Sequence, residues 1–198
     1  IWFQGYEVSV IDGAGPVVRE RVPVAGFADW TRLLPDTLAE HATRIAANIG
    51  AIRPPVSIGQ RIIRFDVPQV MGILNMTPDS FSDGGKHLDD PQAAADSGFA
   101  MGAAGAAIID VGGESTRPGA DPVWEGDEIA RIVPVIERLV AAGVPVSVDT
   151  RKAAVMEAAI GAGAGVINDV SALLHDPRSM EVVASTTCPV ILMHAASV

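Results

Sequence analysis

The chain has 198 residues, of which 48% are hydrophobic, and it carries a formal net charge of −10 at pH 7. This length accommodates one large core with at most a small second domain. The negative charge argues against nucleic acid or an anionic membrane surface as a partner. The single cysteine, Cys188, excludes an internal disulfide and a cysteine-rich zinc site. No apolar run reaches the roughly 18 residues of a membrane span and no signal peptide is evident, so we expect a cytoplasmic protein.

The first 55 residues predict a small domain of their own. Two runs of alternating apolar residues are separated by a glycine- and proline-containing stretch at 13–16, which predicts a β-hairpin. Apolar residues at helical spacing predict a helix from Asp36 to Gly50. We therefore divide the chain into an N-terminal extension, 1–55 (hairpin plus helix), and a larger domain, 56–198. The extension contains no motif with evident chemistry.

The larger domain begins with a second short hairpin pattern, at Val56 to Phe65, and then becomes regular. Helical stretches separate five short apolar runs, so the pattern predicts a parallel sheet covered by helices on both faces. The short hairpin is predicted to plug the bottom of a barrel. The predicted strands lie at about 70–75, 107–111, 145–149, 165–169 and 189–193.

Each predicted strand ends in polar residues. The carboxyl ends of parallel strands meet at one edge of a sheet, where α/β folds place their chemistry. The alternative is that each polar residue is a helix cap or a hydrogen-bonded core group, and Asp110 in particular is expected to position the loop that follows it. The residues at the strand ends are Asn75, Asp110, Asp149, Asn168, Asp169 and His194.

Two loops at this edge combine glycine with hydroxyl and charged groups. They span 77–85 and 112–120. Glycine-rich loops with backbone N–H groups cradle phosphate, and Arg117 offers a guanidinium fork for the same anion. Asn75, Asp79 and Asp83 offer the hard oxygen ligands that Mg²⁺ prefers. Taken singly, each loop is also consistent with a merely flexible connection.

These motifs together resemble the dihydropteroate synthases, the pterin-binding enzymes of folate biosynthesis. The resemblance implies a TIM (β/α)₈ barrel of which this chain holds about the first five β/α units. It also implies a Mg²⁺-assisted transferase that joins 7,8-dihydropterin-6-ylmethyl pyrophosphate to p-aminobenzoate and releases pyrophosphate. The motifs occur in the family's order: NMTPDSFSDGG (75–85), IIDVGGESTRPGA (108–120), PVSVDTRK (145–152), GVINDVSA (165–172) and VILMH (190–194).

The resemblance assigns catalytic and metal-binding roles to residues of the first two loops. Asn75 and Asp83 would bind Mg²⁺ together with the pyrophosphate. Thr116 and Arg117 would contact the pyrophosphate and the region of the substrate ring, and Arg117 would also stabilise the leaving group.

The resemblance also assigns residues to the two organic substrates. Asp149 and Asn168 would hydrogen-bond the edge of the pterin, and Met193 would pack against its ring. Phe81 and Pro118 would help to close the loops over p-aminobenzoate.

The chain departs from the family because it contains only five of the eight strands, so the barrel domain is C-terminally incomplete. We expect the 198-residue fragment alone to be inactive. The resemblance leaves a homodimer open. Two other functions remain as alternatives: a pterin-dependent methyltransferase on the same barrel, and a catalytically inactive homologue that binds a pterin or a partner chain.

Overall fold

The computed structural model describes residues 3–12, 15–77, 90–117 and 119–193, with the backbone alone at 11–12 and 15–18. The chain divides into two compact units, Ile1–Arg53 and Pro54–Val198. Within the described ranges, every helix is too short or too polar to cross a membrane.

The first unit contains the hairpin and the helix that the sequence predicts. Strands β1 (Gly5–Asp12) and β2 (Gly15–Pro23) pair antiparallel. The short helix α1 (Phe27–Thr31) and the longer α2 (Asp36–Gly50) follow. One face of α2 is apolar but only partly covered, and it borders a cleft of about 470 Å³ that β1 also lines.

The second unit is a five-stranded parallel sheet with helices between the strands, which confirms the predicted α/β fold and its five β/α units. A short antiparallel hairpin precedes the sheet, and the strands pair in chain order. The elements are β3 (Val56–Ile58), β4 (Arg61–Ile63), β5 (Met71–Asn75), α3 (Pro91–Ala103), β6 (Ile108–Gly112), α4 (Glu125–Ala141), β7 (Val146–Asp149), α5 (Ala153–Gly161), β8 (Val166–Asp169), α6 (Ser179–Ala184) and β9 (Val190–Leu192).

Helix α3 illustrates how local sequence fixes an element. The side chain of Asp90 accepts hydrogen bonds from the N–H groups of Gln92 and Ala93, and Pro91 occupies the first helical position. An aspartate cap followed by proline is a strong start signal for a helix. Further along, Gly98 lies against the side chain of Leu139, so the missing side chain lets α3 approach α4 closely.

The outer face of the sheet forms the main hydrophobic core with the helices. Its strand residues are fully or almost fully buried and alternate with residues that face the other side. Buried side chains of α4 and α5 pack against them. This core includes Leu74, Ile109, Val111, Ile132, Ile136, Leu139, Val146, Val148, Met156 and Ile167.

The opposite face of the sheet, here called the concave face, is apolar at one end and polar at the other. At the amino-terminal ends of the strands, Ile108 and Val166 form a second buried cluster with Ile58 and Ile63 of the β3–β4 hairpin. The prediction that this hairpin plugs the bottom of the sheet is therefore confirmed. At the carboxyl ends the same face carries polar side chains.

The packing of the β3–β4 hairpin against the sheet depends on Gly165, so a substitution at this position tests the packing. A Cβ added to Gly165 would collide with Cγ2 of Ile58, so Gly165→Ala is expected to lower the free energy of unfolding by about 1–3 kcal/mol. The matched control is Gly161→Ala, at the end of α5, where an added Cβ meets nothing within 4 Å. The control should be neutral or stabilising by up to about 1 kcal/mol. Urea unfolding of both variants measures the difference, and equal effects would contradict the packing described here.

Candidate functional site

Four strand-end residues lie in one row across the concave face. The strand register pairs Asn75 with Gly112, Gly112 with Asp149 and Asp149 with Asn168. Side chains at paired positions of parallel strands point to the same face. The structure thus brings together three predicted site residues, Asn75, Asp149 and Asn168, that are separated by up to 93 positions in the chain.

Gly112 leaves an open space in the middle of this row. A Cβ built on it would lie 3.4 Å from Cβ of Asp149, 3.5 Å from Oδ2 of Asp149 and 3.6 Å from Oδ1 of Asn75. A carboxylate oxygen and an amide oxygen therefore flank a gap that any side chain at position 112 would fill. We call this gap the Gly112 cradle.

A second polar layer lies just below the row. Asp110 pairs in register with Ser147, and Nδ2 of Asn168 donates a 3.0 Å hydrogen bond to Oδ2 of Asp110. The expectation that Asp110 positions the loop after it is wrong, because its carboxylate contacts Asn168 on the concave face. Ser147 was not predicted as a site residue. A hydroxyl among the apolar residues of β7 was the one signal that could have identified it.

The layer contains buried oxygen atoms that lack hydrogen-bond partners. In the described part of the chain these are Oδ1 of Asp110 and Oγ of Ser147, joined by Oδ1 of Asp149 in the row above. Ser147 lies near enough to the Asp110 carboxyl group to lower its pKa, but no hydrogen bond of good geometry joins the two side chains. Buried polar atoms in folded proteins nearly always have partners, and leaving one unpaired costs about 1–3 kcal/mol. Two acceptors and a hydroxyl on the same face of the sheet are suited to a planar ligand with several N–H donors on one edge.

The surroundings of these carboxyl groups favour their protonated forms. Burial raises the pKa of Asp149 to about 7, with further contributions from the negative charges of Asp110, Glu128 and Asp169. Burial also raises the pKa of Asp110, and the side chains of Ser147 and Asn168, which interact with its carboxyl group, offset part of the increase. Strongly displaced pKa values of neighbouring acids are typical of functional sites.

Buried ion pairs connect the loop after β6, the first turn of α4 and the loop after β7. Nζ of Lys152 lies 3.0 Å from Oε1 of Glu114, 2.7 Å from Oε2 of Glu128 and 2.5 Å from the carbonyl oxygen of Val123. Nε of Arg151 lies 2.9 Å from Oε2 of Glu114.

Thr150 completes the arrangement by donating a 2.8 Å hydrogen bond to Oε1 of Glu128. We call Glu114, Glu128, Thr150, Arg151 and Lys152 the Lys152 cluster. The side chains of Glu114 and Glu128 are 3% and 0% exposed, so both charges depend on their partners in the cluster.

The charge balance of the cluster is visible in Glu114. Burial by itself would raise the pKa of Glu114, but hydrogen bonds from Arg151, the N–H of Val123 and Lys152 outweigh it and lower the pKa to about 2. Arg151 and Lys152 thus share the carboxylate of Glu114 as their partner. The burial of Glu128 was missed, since an acid in the first turn of a helix is expected at the surface.

The cluster holds the base of the loop that carries Thr116 and Arg117. Glu114 precedes these two residues, and Val123 follows them at the other end of the loop. Both Thr116 and Arg117 are exposed, and the carbonyl of Arg117 accepts a hydrogen bond from the N–H of Ala120. The structure therefore places them in the exposed part of the loop that follows β6 and not within the row itself.

On the far side of the row, β8 ends in a turn with an unusual backbone. Ala172 and Leu173 have φ angles of 55° and 65°, in a left-handed region that costs a non-glycine residue about 1–2 kcal/mol. The fully buried carboxylate of Asp169 accepts hydrogen bonds from the N–H groups of Ser171 (2.7 Å) and Leu173 (2.9 Å). The carbonyl of Asp169 also accepts from the N–H of Met193, whose side chain is half exposed.

Several predicted residues lie outside the described ranges. They are Phe81, Asp83 and Pro118 of the two loops, with Asp79 and His194. Among the residues that are described, no group of three or more histidine, cysteine, aspartate or glutamate side chains could hold a metal ion.

Comparison with known proteins gives a consistent picture. A family model described as "Pterin binding enzyme" matches residues 71–198. The chain is 54% identical over 126 residues to a dihydropteroate synthase of Bacillus subtilis, which covers 63% of this chain and 44% of that protein. It is 40% identical over 196 residues to a probable bifunctional folylpolyglutamate synthase/dihydropteroate synthase of Halobacterium salinarum, which covers 95% of this chain and 23% of that protein. A match of this length includes most of Ile1–Arg53, for which the sequence suggested no relative.

Solved structures agree with the sequence relatives. Dihydropteroate synthase of Xanthomonas albilineans with 4-aminobenzoic acid has a TM-score of 0.66 and 51% identity, over 73% of this chain and 52% of that chain. The same enzyme in complex with 7,8-dihydropteroate has a TM-score of 0.60 and 47% identity, over 71% of this chain and 51% of that chain. This chain spans about half the length of the dihydropteroate synthases that it matches.

Proposed function

This chain belongs to the family of pterin binding enzymes, and from that membership we propose that it carries the pterin-binding part of a dihydropteroate synthase. The proposed reaction joins 7,8-dihydropterin-6-ylmethyl pyrophosphate to p-aminobenzoate and gives 7,8-dihydropteroate and pyrophosphate. Both substrates are small soluble molecules, and within this proposal the reaction takes place in the cytoplasm.

The observation that carries the proposal is the set of buried oxygens beside and below the Gly112 cradle that make no hydrogen bond of good geometry. A pterin presents a fixed row of N–H donors and acceptors on one edge of a flat ring. Asp149 and Asp110 would accept from those donors, and Asn168 would both donate and accept. Ligand binding would then supply the partners that these buried atoms lack, so the empty site is less favourable than the filled one.

The other end of the substrate carries the pyrophosphate. Arg117 and Thr116 would contact it from the rim, where a guanidinium group suits an oxyanion. Mg²⁺ fits the donors available, because it commonly takes one or two protein oxygens and completes its shell with phosphates and water. Asn75 beside the Gly112 cradle and Asp83 would hold it, and the bound ion would neutralise charge on the departing pyrophosphate.

The residues of the site would act by holding and shielding the reactants. No side-chain nucleophile is required if the pterin ring delocalises the charge left when the C–O bond breaks. The two loops, with Phe81 and Pro118, would close over p-aminobenzoate and keep water from competing with its amine.

Two alternative functions differ from the proposed one in what they bind or transfer. A pterin-dependent methyltransferase would transfer a methyl group to a corrinoid and would not consume p-aminobenzoate. A catalytically inactive homologue would bind the pterin without releasing pyrophosphate. The retained Asn75, Thr116 and Arg117 weigh against both, since neither function needs a clamp for a leaving group.

The Gly112 cradle gives a direct test by ligand binding. Gly112→Ala places a methyl group at ordinary contact distance from Asn75 and Asp149, so the fold should accept it while the space for ligand is lost. We expect 7,8-dihydropteroate to bind the variant about tenfold to a hundredfold more weakly than the unaltered chain, a loss of about 1.4–2.8 kcal/mol. Isothermal titration calorimetry measures the dissociation constants.

The control for this test is the free energy of unfolding, which should stay within about 0.5 kcal/mol of the unaltered value. Unchanged affinity in a variant of normal stability would place the ligand elsewhere on the protein. Absence of any binding to the unaltered chain, with or without Mg²⁺, would count against the proposed function itself.

We also propose that residues 1–55 form a domain of their own. Support comes from the division of contacts at Arg53 and from the relative of Halobacterium salinarum, whose match extends through this part of the chain. Its name describes two activities on one polypeptide, which favours a unit that connects this barrel with another domain.

A further inference from the structure

The strained turn after β8 contains a fully buried acid that the proposed reaction does not use. Asp169 is 0% exposed, yet within the described part of the chain its carboxylate forms no salt bridge with a cationic side chain. It accepts from the backbone N–H groups of Ser171 and Leu173 instead. Burying a carboxylate without a cationic partner is costly. We therefore ask what the Asp169 carboxylate holds in place.

The two hydrogen bonds hold the backbone in a conformation that its residues disfavour. Ala172 and Leu173 are consecutive left-handed residues without being glycine. Leu173 is nonetheless buried in the main core, whereas the next residue, Leu174, is 86% exposed. The carboxylate thus keeps the chain in a tight reversal that sends one leucine inward. Backbone strain of this kind persists only where its surroundings over-determine it.

The same residue is linked to both neighbouring site residues. Asn168 precedes it directly and donates to Asp110 on the concave face. The carbonyl of Asp169 accepts from the N–H of Met193, which fixes the end of β9 against β8. A change in the turn would therefore alter the direction of the Asn168 side chain and the position of Met193 together.

We propose that Asp169 is a positioning residue, whose buried carboxylate holds the strained turn 170–173 and thereby orients Asn168 and Met193 toward the pterin. This inference deepens the proposed function and rests on it. In this proposal the carboxylate controls the conformation of the turn. A residue with a general supporting role would instead affect the stability of the whole domain.

Asp169→Asn tests the proposal, because asparagine has the same size but offers one acceptor and turns an NH₂ group toward the other N–H. Native-state hydrogen exchange should show about tenfold less protection of the Ser171 and Leu173 amides. The NMR signal of the Asn168 side-chain amide should shift and exchange faster. Binding of 7,8-dihydropteroate should weaken about tenfold, as expected if the oriented state falls to a tenth of the population.

Two further variants separate positioning from simple stability. Ala172→Gly removes the penalty for a positive φ, so the double variant Asp169→Asn/Ala172→Gly should recover most of the Asn168 signal and most of the affinity. Asp176→Asn is the matched control, since that carboxylate also accepts two backbone hydrogen bonds, from Ala153 and Arg178, but is not linked to Asn168. It should leave the Asn168 signal unchanged.

The proposal is overturned if Asp169→Asn leaves the Asn168 amide signal as it was, or if Ala172→Gly restores nothing in the double variant. If the unaltered chain does not bind 7,8-dihydropteroate, the proposed function fails. The exchange and NMR measurements need no ligand and still decide whether Asp169 orients Asn168.

Discussion

Replacing Lys152 by methionine is expected to lower the free energy of unfolding by about 3–5 kcal/mol, which is typical of removing one partner from a buried ion pair. The ammonium group of Lys152 lies between Glu114 and Glu128, both almost completely buried. Methionine fills a similar volume but leaves two carboxylates facing each other without their shared cation. Urea unfolding monitored by far-ultraviolet circular dichroism measures the loss.

A surface ion pair provides the control for this variant. Arg178 and Glu157 form a contact of 2.7 Å, with side chains 58% and 49% exposed. Pairs of this kind contribute about 0–1 kcal/mol because water and salt screen them. Arg178→Met should therefore change stability little. Equal losses in Arg178→Met and Lys152→Met would mean that the Lys152 cluster contributes no more than a surface contact.

Asp149→Asn is expected to stabilise the fold at pH 8 while it weakens ligand binding. Burial raises the pKa of Asp149 to about 7, well above the value of about 4 for an unfolded chain. Between these pH values the folded state holds a proton that the unfolded state has lost, so stability falls as the pH rises from 4 to 7 and then levels off. The total penalty is up to about 4 kcal/mol, at about 1.4 kcal/mol for each pKa unit.

Asparagine cannot ionise, so the variant escapes this penalty. The difference in unfolding free energy between Asp149→Asn and the unaltered chain should be near zero at pH 4, grow toward pH 7 and stay constant above it. Taking the difference cancels the titration of all other groups. Affinity for 7,8-dihydropteroate at pH 8 should fall by about 1–3 kcal/mol with the loss of a charged acceptor. A difference that is independent of pH would show that Asp149 ionises normally in the folded protein.

The regular part of the fold was predictable because its signals are local. Apolar runs of the right length gave all five parallel strands to within one or two residues, and Asp90 with Pro91 marked the start of α3. Two helix starts were off by two residues: the sequence pattern predicts α4 from Asp127 and α5 from Arg151, whereas the helices begin at Glu125 and Ala153. The short plugging hairpin was also predictable, since Gly59 and Gln60 interrupt two apolar stretches.

The site was predictable in part, for a different reason. Strand ends that share a sheet edge must converge, so the row containing Asn75, Asp149 and Asn168 followed from topology. The second layer did not, because whether Asp110 faces the helices or the concave face depends on one residue of register. The Lys152 cluster joins residues 22 to 38 positions apart, and no local pattern specifies which loop side chains meet.

The alternation of side chains along the strands links the composition of the concave face to correct strand pairing. In β6, Ile109 and Val111 belong to the helix-covered core, while Asp110 between them faces the opposite side. A shift of β6 by one residue in its strand register would bury the Asp110 carboxylate in the hydrophobic core. It would also turn Ile109 and Val111 toward the concave face. The same misalignment would therefore cost free energy on both faces of the sheet. The hydrophobic residues of the core thus help to enforce the strand register that places Asp110 on the concave face. Substitutions at those core positions should accordingly affect the accuracy of strand pairing as well as thermal stability.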